Sequence, residues 1–197
     1  TGIIRTSFDT SLEALLSEND PYLDELILMD EAFPSSLEVR FAFVTDESDT
    51  VFNSELLAAI DDLKDSYSAI PFADRLTTIL DYVSPETQSR LFIKALRSYT
   101  EEELAEVADA ALADRLLTAN LLSDDAALTF AIITTNSADI SADDRLDIAT
   151  AALVLRDEIR SRHPDVQILV NSEVMLEQSS QQAMVDDLTN LMPFVIL

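Results

Sequence analysis

VRFAFVT, Val39 to Thr45, decides how the rest of the chain is read: its β-branched and aromatic residues lie beside polar and Asp-containing stretches, as a strand's do. The makeup recurs in LTFAIITT, Leu128 to Thr135. Aligned on Phe41 and Phe130, the two runs are 89 residues apart. A segment of helical period follows each one: Leu56, Ile60, Leu63 and Tyr67 after the first, Ile148, Ala152, Leu155 and Ile159 after the second. Both stripes step by i, i+4, i+7, i+11, which puts their members on one helix face. Each segment then passes a proline, Pro71 or Pro164, and enters another apolar run, DRLTTILDYV or VQILV. So long a period is a duplication and not a solenoid.

Strand, helix, strand, twice over, predicts an α+β fold: a ferredoxin-like split βαβ sheet of four antiparallel strands carrying two helices on one face. The expected layout is one domain over 1–197. An N-terminal helical segment occupies 1–36, where Asp20-Pro21 opens a helix that Pro34 ends. The first half is 37–83, a helical insertion fills 84–120, and the second half is 121–172. Within the insertion, Ser84-Pro85 reads as a helix start, and Thr100 with Glu103 has capping-box spacing. Leu104, Val107, Ala108, Ala111 and Leu112 then give an apolar face. A C-terminal helix over 173–197, capped by Asn171 or Ser172, has a polar waist, EQSSQQ, and an apolar stripe of Val185, Leu188 and Met192.

Composition bounds the chemistry. At 197 residues, 48% hydrophobic and 25% charged, the chain is of globular type. It holds no run near the roughly 20 apolar residues that span a bilayer. Asp and Glu number 38 against 12 basic residues, of which only Lys64 and Lys94 are lysines, for a net charge of -26. Such a surface repels phosphate, so nucleic acid is not an expected partner. It suits solubility in a salty, exposed compartment.

Absent residues exclude whole reaction classes. There is no cysteine, hence no disulfide or thiolate. The single glycine, Gly2, leaves no Gly-rich phosphate loop or nucleophile elbow. His163, the only histidine, rules out a multi-histidine metal site. It precedes Pro164, and with Arg160 and Arg162 it reads as a helix end near the negative pole of the dipole. DISADDRLDIAT, Asp139 to Thr150, offers oxygens as a calcium loop would, but has Asp144 where the turn needs glycine and Thr150 where a bidentate Glu is needed. Ser141 as an N-cap accounts for the same residues. The pairs Asp61-Asp62, Asp124-Asp125 and Asp186-Asp187 are adjacent on the chain and do not face each other across a cleft. No catalytic, metal-binding or cofactor-binding residue is expected, and no enzyme.

MVDDLTNLMPFVIL, Met184 to Leu197, ends on a proline and four apolar residues, and from His163 to Leu197 there is no Lys or Arg. An apolar tail of this kind either packs on a core or begins a membrane helix, whose flank, lacking cations, would then lie outside the cytoplasm. With ENDP (Glu18 to Pro21), a Leu-Ser-Asp-Asp before a strand (Leu122 to Asp125) and Asp187 through Pro193, the chain from about Asp9 onward resembles the first extracytoplasmic loop of resistance-nodulation-division exporters. The branch it is most similar to is that of the predicted hydrophobe/amphiphile exporters, relatives of the MMPL and Patched-like transporters. Asn171 stands where members often have glycine after the last strand, and Asn tolerates a left-handed turn fairly well.

The resemblance implies a periplasmic porter domain on the outer side of the bacterial inner membrane, part of a proton-driven exporter, receiving hydrophobic or amphiphilic small molecules or lipids and passing them on. Implied partners are the remaining transmembrane part and the second periplasmic domain of the parent transporter; self-association is left open. The proton-relay carboxylates of such transporters lie in membrane helices, outside this loop. The 173–197 helix would run on into the second membrane helix, with a membrane-boundary hinge at Pro193. The alternative is an acidic, soluble protein-protein interaction module with no transport role. Substrate-binding residues are not identified by the sequence.

Overall fold

The computed structural model describes residues 37–45, 49–136 and 140–172, all of them within the unit 36–197. The helices expected at 20–34 and 173–197, with Pro193, lie outside the described residues.

Four strands form one antiparallel sheet: β1 (Glu38–Val44), β2 (Ala73–Thr77), β3 (Leu128–Thr135) and β4 (Gln167–Ser172). Four α-helices are described: α1 (Ser54–Ser66), α2 (Glu101–Ala113), α3 (Arg115–Asn120) and α4 (Ala142–Arg162). The spatial order is β2-β3-β1-β4. β1 pairs with both β3 and β4, and β2 pairs only with β3. Helix α1 joins β1 to β2, α4 joins β3 to β4, and α2 and α3 fall between the two connections.

The strands alternate as a half-covered sheet must, since successive side chains point to opposite faces. Val39, Phe41 and Phe43 of β1 and Thr129, Ala131, Ile133 and Thr135 of β3 are buried on one face. Against them lie Leu56, Ile60 and Leu63 of α1 and Ile148, Ala152, Leu155 and Ile159 of α4, all buried in the same core. Both expected stripes are thus the core-facing ones; Tyr67, at the C-cap of α1, is only partly buried against them. Truncating a side chain as buried as Phe41 to alanine costs about 3–5 kcal/mol in such cores. The two buried strand hydroxyls at the ends of β3 are satisfied: Thr129 donates to the Leu121 carbonyl at 2.9 Å and Thr135 to the Leu37 carbonyl at 3.0 Å.

The two repeats are not in register residue for residue. Phe41 is fully buried, whereas Phe130, its partner in the sequence alignment, lies on the opposite face and is only partly buried. It is Ala131 that pairs with Phe41 and shares its face. A slip of one residue changes sides in a sheet, so the 89-residue offset that matches the two phenylalanines by type does not match the strands by face.

Helix starts follow side-chain chemistry. Asn53 accepts the Leu56 N–H at 2.8 Å and caps α1. Thr100 accepts the Glu103 N–H at 3.3 Å while Glu103 accepts the Thr100 N–H at 2.8 Å, the reciprocal box expected from the spacing. Ser141 and Asp144 make the same box at the start of α4, so these residues of the calcium-like stretch serve a helix terminus.

Ser84-Pro85, by contrast, begins no helix. Val83 bridges to Arg90, the Ser84 N–H donates to the Ser89 carbonyl at 2.9 Å, and the Gln88 N–H donates to the Ser84 carbonyl at 2.8 Å. These bonds close a loop over 82–91, and the first α-helix of the insertion begins at Glu101. A Ser-Pro pair allows a helix start, but helix formation also needs a run of residues with a face to bury, and that run comes only after Thr100.

With glycine confined to position 2, left-handed backbone among the described residues falls to Phe72 (φ 60°), Gln88 (φ 57°) and Ala126 (φ 55°). Each sits in a tight connection: before β2, at the tip of the 82–91 loop, and before β3.

Candidate functional site

β2 ends where Thr78 accepts the Leu80 N–H at 3.1 Å and opens a single 3-10 turn, Ile79–Asp81. Tyr82 follows, and its carbonyl accepts the Leu91 N–H at 3.1 Å, pinning the base of the 82–91 loop. Across from the loop lies the joint between α2 and α3. Asp114 forms that joint: its N–H donates to the Ala111 carbonyl at 3.1 Å, ending α2, and its Oδ1 accepts the N–H groups of Leu116 at 3.0 Å and Leu117 at 3.2 Å, starting α3. One carboxylate satisfies donors that the first turn would otherwise leave unpaired.

Between loop and joint is a cavity of about 340 Å³. Its apolar wall is Leu91, Ala110, Ala113 and Leu117; the small alanines leave the space open. Its polar wall holds the half-buried Tyr82, Ser84 and Asp114, and exposed residues border it, among them Glu86 and Arg90.

The Tyr82 hydroxyl is shut off from solvent and has no hydrogen-bond partner among the described residues. Burial, then the nearby Asp114 carboxylate in a contact outside strict hydrogen-bond geometry, and finally the charge of Glu86 push its pKa up to about 12 from 10.0. Burial works against ionisation of Asp114 too, but interactions with Ser84, with the α3 N–H groups and with Tyr82 outweigh it and hold the carboxyl below its ordinary range. The site therefore presents an ionised carboxylate beside a neutral phenol. A buried polar group without a partner is costly, and where one persists a ligand or water is the physical reason to look for.

Tyr82 also lines a second cavity, of about 360 Å³, with Pro85, Leu116, Leu121 and Ile132 supplying apolar surface. Glu38, Arg75 and Asn120 border it as well, so two cavities of mixed lining meet at one side chain.

The residues weighed in the sequence are occupied elsewhere. His163 ends α4, and its Nε2 lies 3.0 Å from Asp62 Oδ2, which also accepts Arg162 Nη1 at 2.6 Å. Asp125 belongs to the turn before β3: its Oδ1 accepts the Ser123 hydroxyl at 2.6 Å and the Ala127 N–H at 3.0 Å, and these bonds hold its carboxyl below the usual range. Among the described residues no group of three or more His, Asp or Glu is arranged to hold a metal ion. Pro193, the proposed hinge, is outside the described residues. Sequence reasoning missed Tyr82, Ser84 and Asp114, because Ser84 had been assigned to a helix start and nothing about a lone Asp in an Ala-rich run marks it as a joint.

No protein-family model matches the chain, and no curated protein matches it.

Proposed function

We propose that the chain is the periplasmic porter domain of a resistance-nodulation-division exporter that receives hydrophobic or amphiphilic molecules and passes them outward. The supporting observation is the strand order β2-β3-β1-β4, with α1 and α4 as the two connections and α2 and α3 inserted between the halves. That arrangement agrees with a ferredoxin-like split βαβ core, which is the core the resemblance implies. The acidic surface fits a domain standing in the periplasm, and the two cavities, each lined by both apolar and polar residues, fit an amphiphile better than a wholly polar metabolite. In this reading the domain is receptor and conduit and performs no chemistry itself; its partners are the membrane-embedded part and the second periplasmic domain of the same transporter.

The test is the coding sequence on either side of this segment. Apolar stretches of about 20 residues before Thr1 and after Leu197 are expected. Polar continuations on both sides would overturn the assignment.

A further inference from the structure

The sheet has two edge strands, and only one of them is guarded. β2 carries Asp74 and Arg75, follows Pro71, and shifts register between Ala73 and Arg75. Charge, proline and irregularity of this kind keep an edge from pairing with another chain. β4 has none of them. It reads QILVNS, without a charged residue in a chain that is 25% charged, and it pairs with β1 in unbroken register from Gln167 to Ser172. Among the described residues no strand lies on its other side. Leu169, near its middle, is 52% exposed.

We propose that β4 pairs antiparallel with β4 of a second copy of this chain, about a two-fold axis at Leu169, so that two four-stranded sheets become one continuous sheet. Directly opposite residues of an antiparallel pair share a face, so a two-fold axis normal to the sheet must pass a residue and not the gap between two. Centred on Leu169, the register sets Gln167 against the second copy's Asn171 and Ile168 against its Val170. Amide then meets amide, and β-branched apolar meets β-branched apolar. A centre at Ile168 or Val170 would instead oppose Leu169 to Gln167 or to Asn171.

Strand pairing alone covers little beside the roughly 1,200–2,000 Å² of a stable interface. Helix α4 adds to it. α4 packs on both β4 and α1, and its Arg162 holds Asp62 of α1. Leu146 precedes Leu155, and Leu153 precedes Arg162, by nine residues, about two and a half turns. The two exposed leucines therefore point away from α1, toward the side on which β4 lies open. Joining the sheets at β4 lays the two α4 helices antiparallel beside each other with these leucines between them. Asp157 and Arg160, four and seven residues after Leu153, share that face, so the seam receives both signs of charge and not acid alone.

Sedimentation equilibrium of the full chain over about 1–200 µM should show a reversible monomer–dimer equilibrium of the weak class. It should tighten several-fold between about 0.05 and 0.5 M NaCl, because two chains of charge -26 repel and salt screens them. Leu169→Lys should weaken the dimer about tenfold or more although it lowers the net charge, since the axis sets the two ammonium groups opposite each other. Thr77→Lys, the same change of charge at an exposed position of the other edge, should not weaken it. The chain has no cysteine, so introduced thiols report the register. Opposed Cα atoms of antiparallel strands lie about 4.5–5.5 Å apart, within disulfide reach. With oxidised glutathione as oxidant, Leu169→Cys alone should give a covalent dimer, Gln167→Cys and Asn171→Cys should do so when mixed and not singly, and Thr77→Cys should not. A monomer at every concentration, a dimer that Leu169→Lys leaves intact, or crosslinking by Gln167→Cys or Thr77→Cys alone as fast as by Leu169→Cys would overturn the proposal. The pairing stands on the strand edge and not on the exporter reading, whose own test is the flanking coding sequence.

Discussion

Asp62 Oδ2 takes the Arg162 guanidinium at 2.6 Å and His163 Nε2 at 3.0 Å, so a single oxygen on α1 fastens the last turn of α4 across one hundred residues of sequence. The two connecting helices are thereby tied at one end, beyond their apolar contact. Asp62 and Arg162 are about one-third and two-fifths exposed, which places the pair among modest surface bridges. A double-mutant cycle on Asp62→Asn and Arg162→Gln, followed by denaturant unfolding, should return a coupling of about 0.5–1 kcal/mol. A coupling indistinguishable from zero would show that the pair adds nothing to the packing.

Gln88→Gly should stabilise the protein by about 0.5–1 kcal/mol. The left-handed backbone at Gln88 costs a residue with a Cβ about 1 kcal/mol or more, and its exposed side chain gives up nothing when removed. Ala126→Gly should be near neutral, since relief of a similar strain is offset by loss of a fully buried methyl worth about 0.8 kcal/mol. Urea midpoints of the two variants separate these outcomes, and a larger gain at 126 than at 88 would contradict the argument.

Thr100→Ala removes an N-cap and should cost about 1 kcal/mol. The loss should be felt beyond α2, because the box shares Glu103 with Lys94, whose Nζ sits 4.5 Å from the Tyr99 ring centre. Amide exchange over 92–100 should therefore speed up in the variant together with that of α2.

Titration should divide the groups by sign. Tyr82 has a raised folded pKa, so its contribution to stability is complete below the unfolded value near 10 and is lost as pH climbs through about 12. Absorbance near 295 nm should show a late tyrosine ionisation, and Tyr82→Phe should abolish that step. Glu103 is lowered by the Lys94 hydrogen bond first, and Asp125 by that of Ser123. Their contributions are present above the ordinary carboxylate range and are lost as pH falls through the depressed values. Melting temperature should accordingly drop in acid, and less steeply in an Asp125→Asn variant. An identical acid profile would show that the turn's carboxylate is incidental.

The fold was legible wherever periodicity was long. Ile148, Ala152, Leu155 and Ile159 could be placed on one face from spacing alone, and all four are buried. Capping chemistry at Thr100 and Ser141 was equally plain, since a box needs only two residues three apart. Strand faces were harder: Phe41 and Phe130 look equivalent in the sequence, but register depends on partners far along the chain. The site was almost invisible. Tyr82 and Asp114 are ordinary residues 32 positions apart, brought together only when the 82–91 loop closes opposite a break between two helices, and neither element announces itself by composition.

Since β1 sits between β3 and β4 and does not pair with β2, the two halves are interleaved like the fingers of clasped hands. Neither could hold its shape alone. A protease nick in the exposed 85–90 stretch should therefore leave two pieces that stay together and can be reassembled after separation. Evolution, by the same logic, is free to lengthen or exchange what lies between the halves without disturbing how they grip each other.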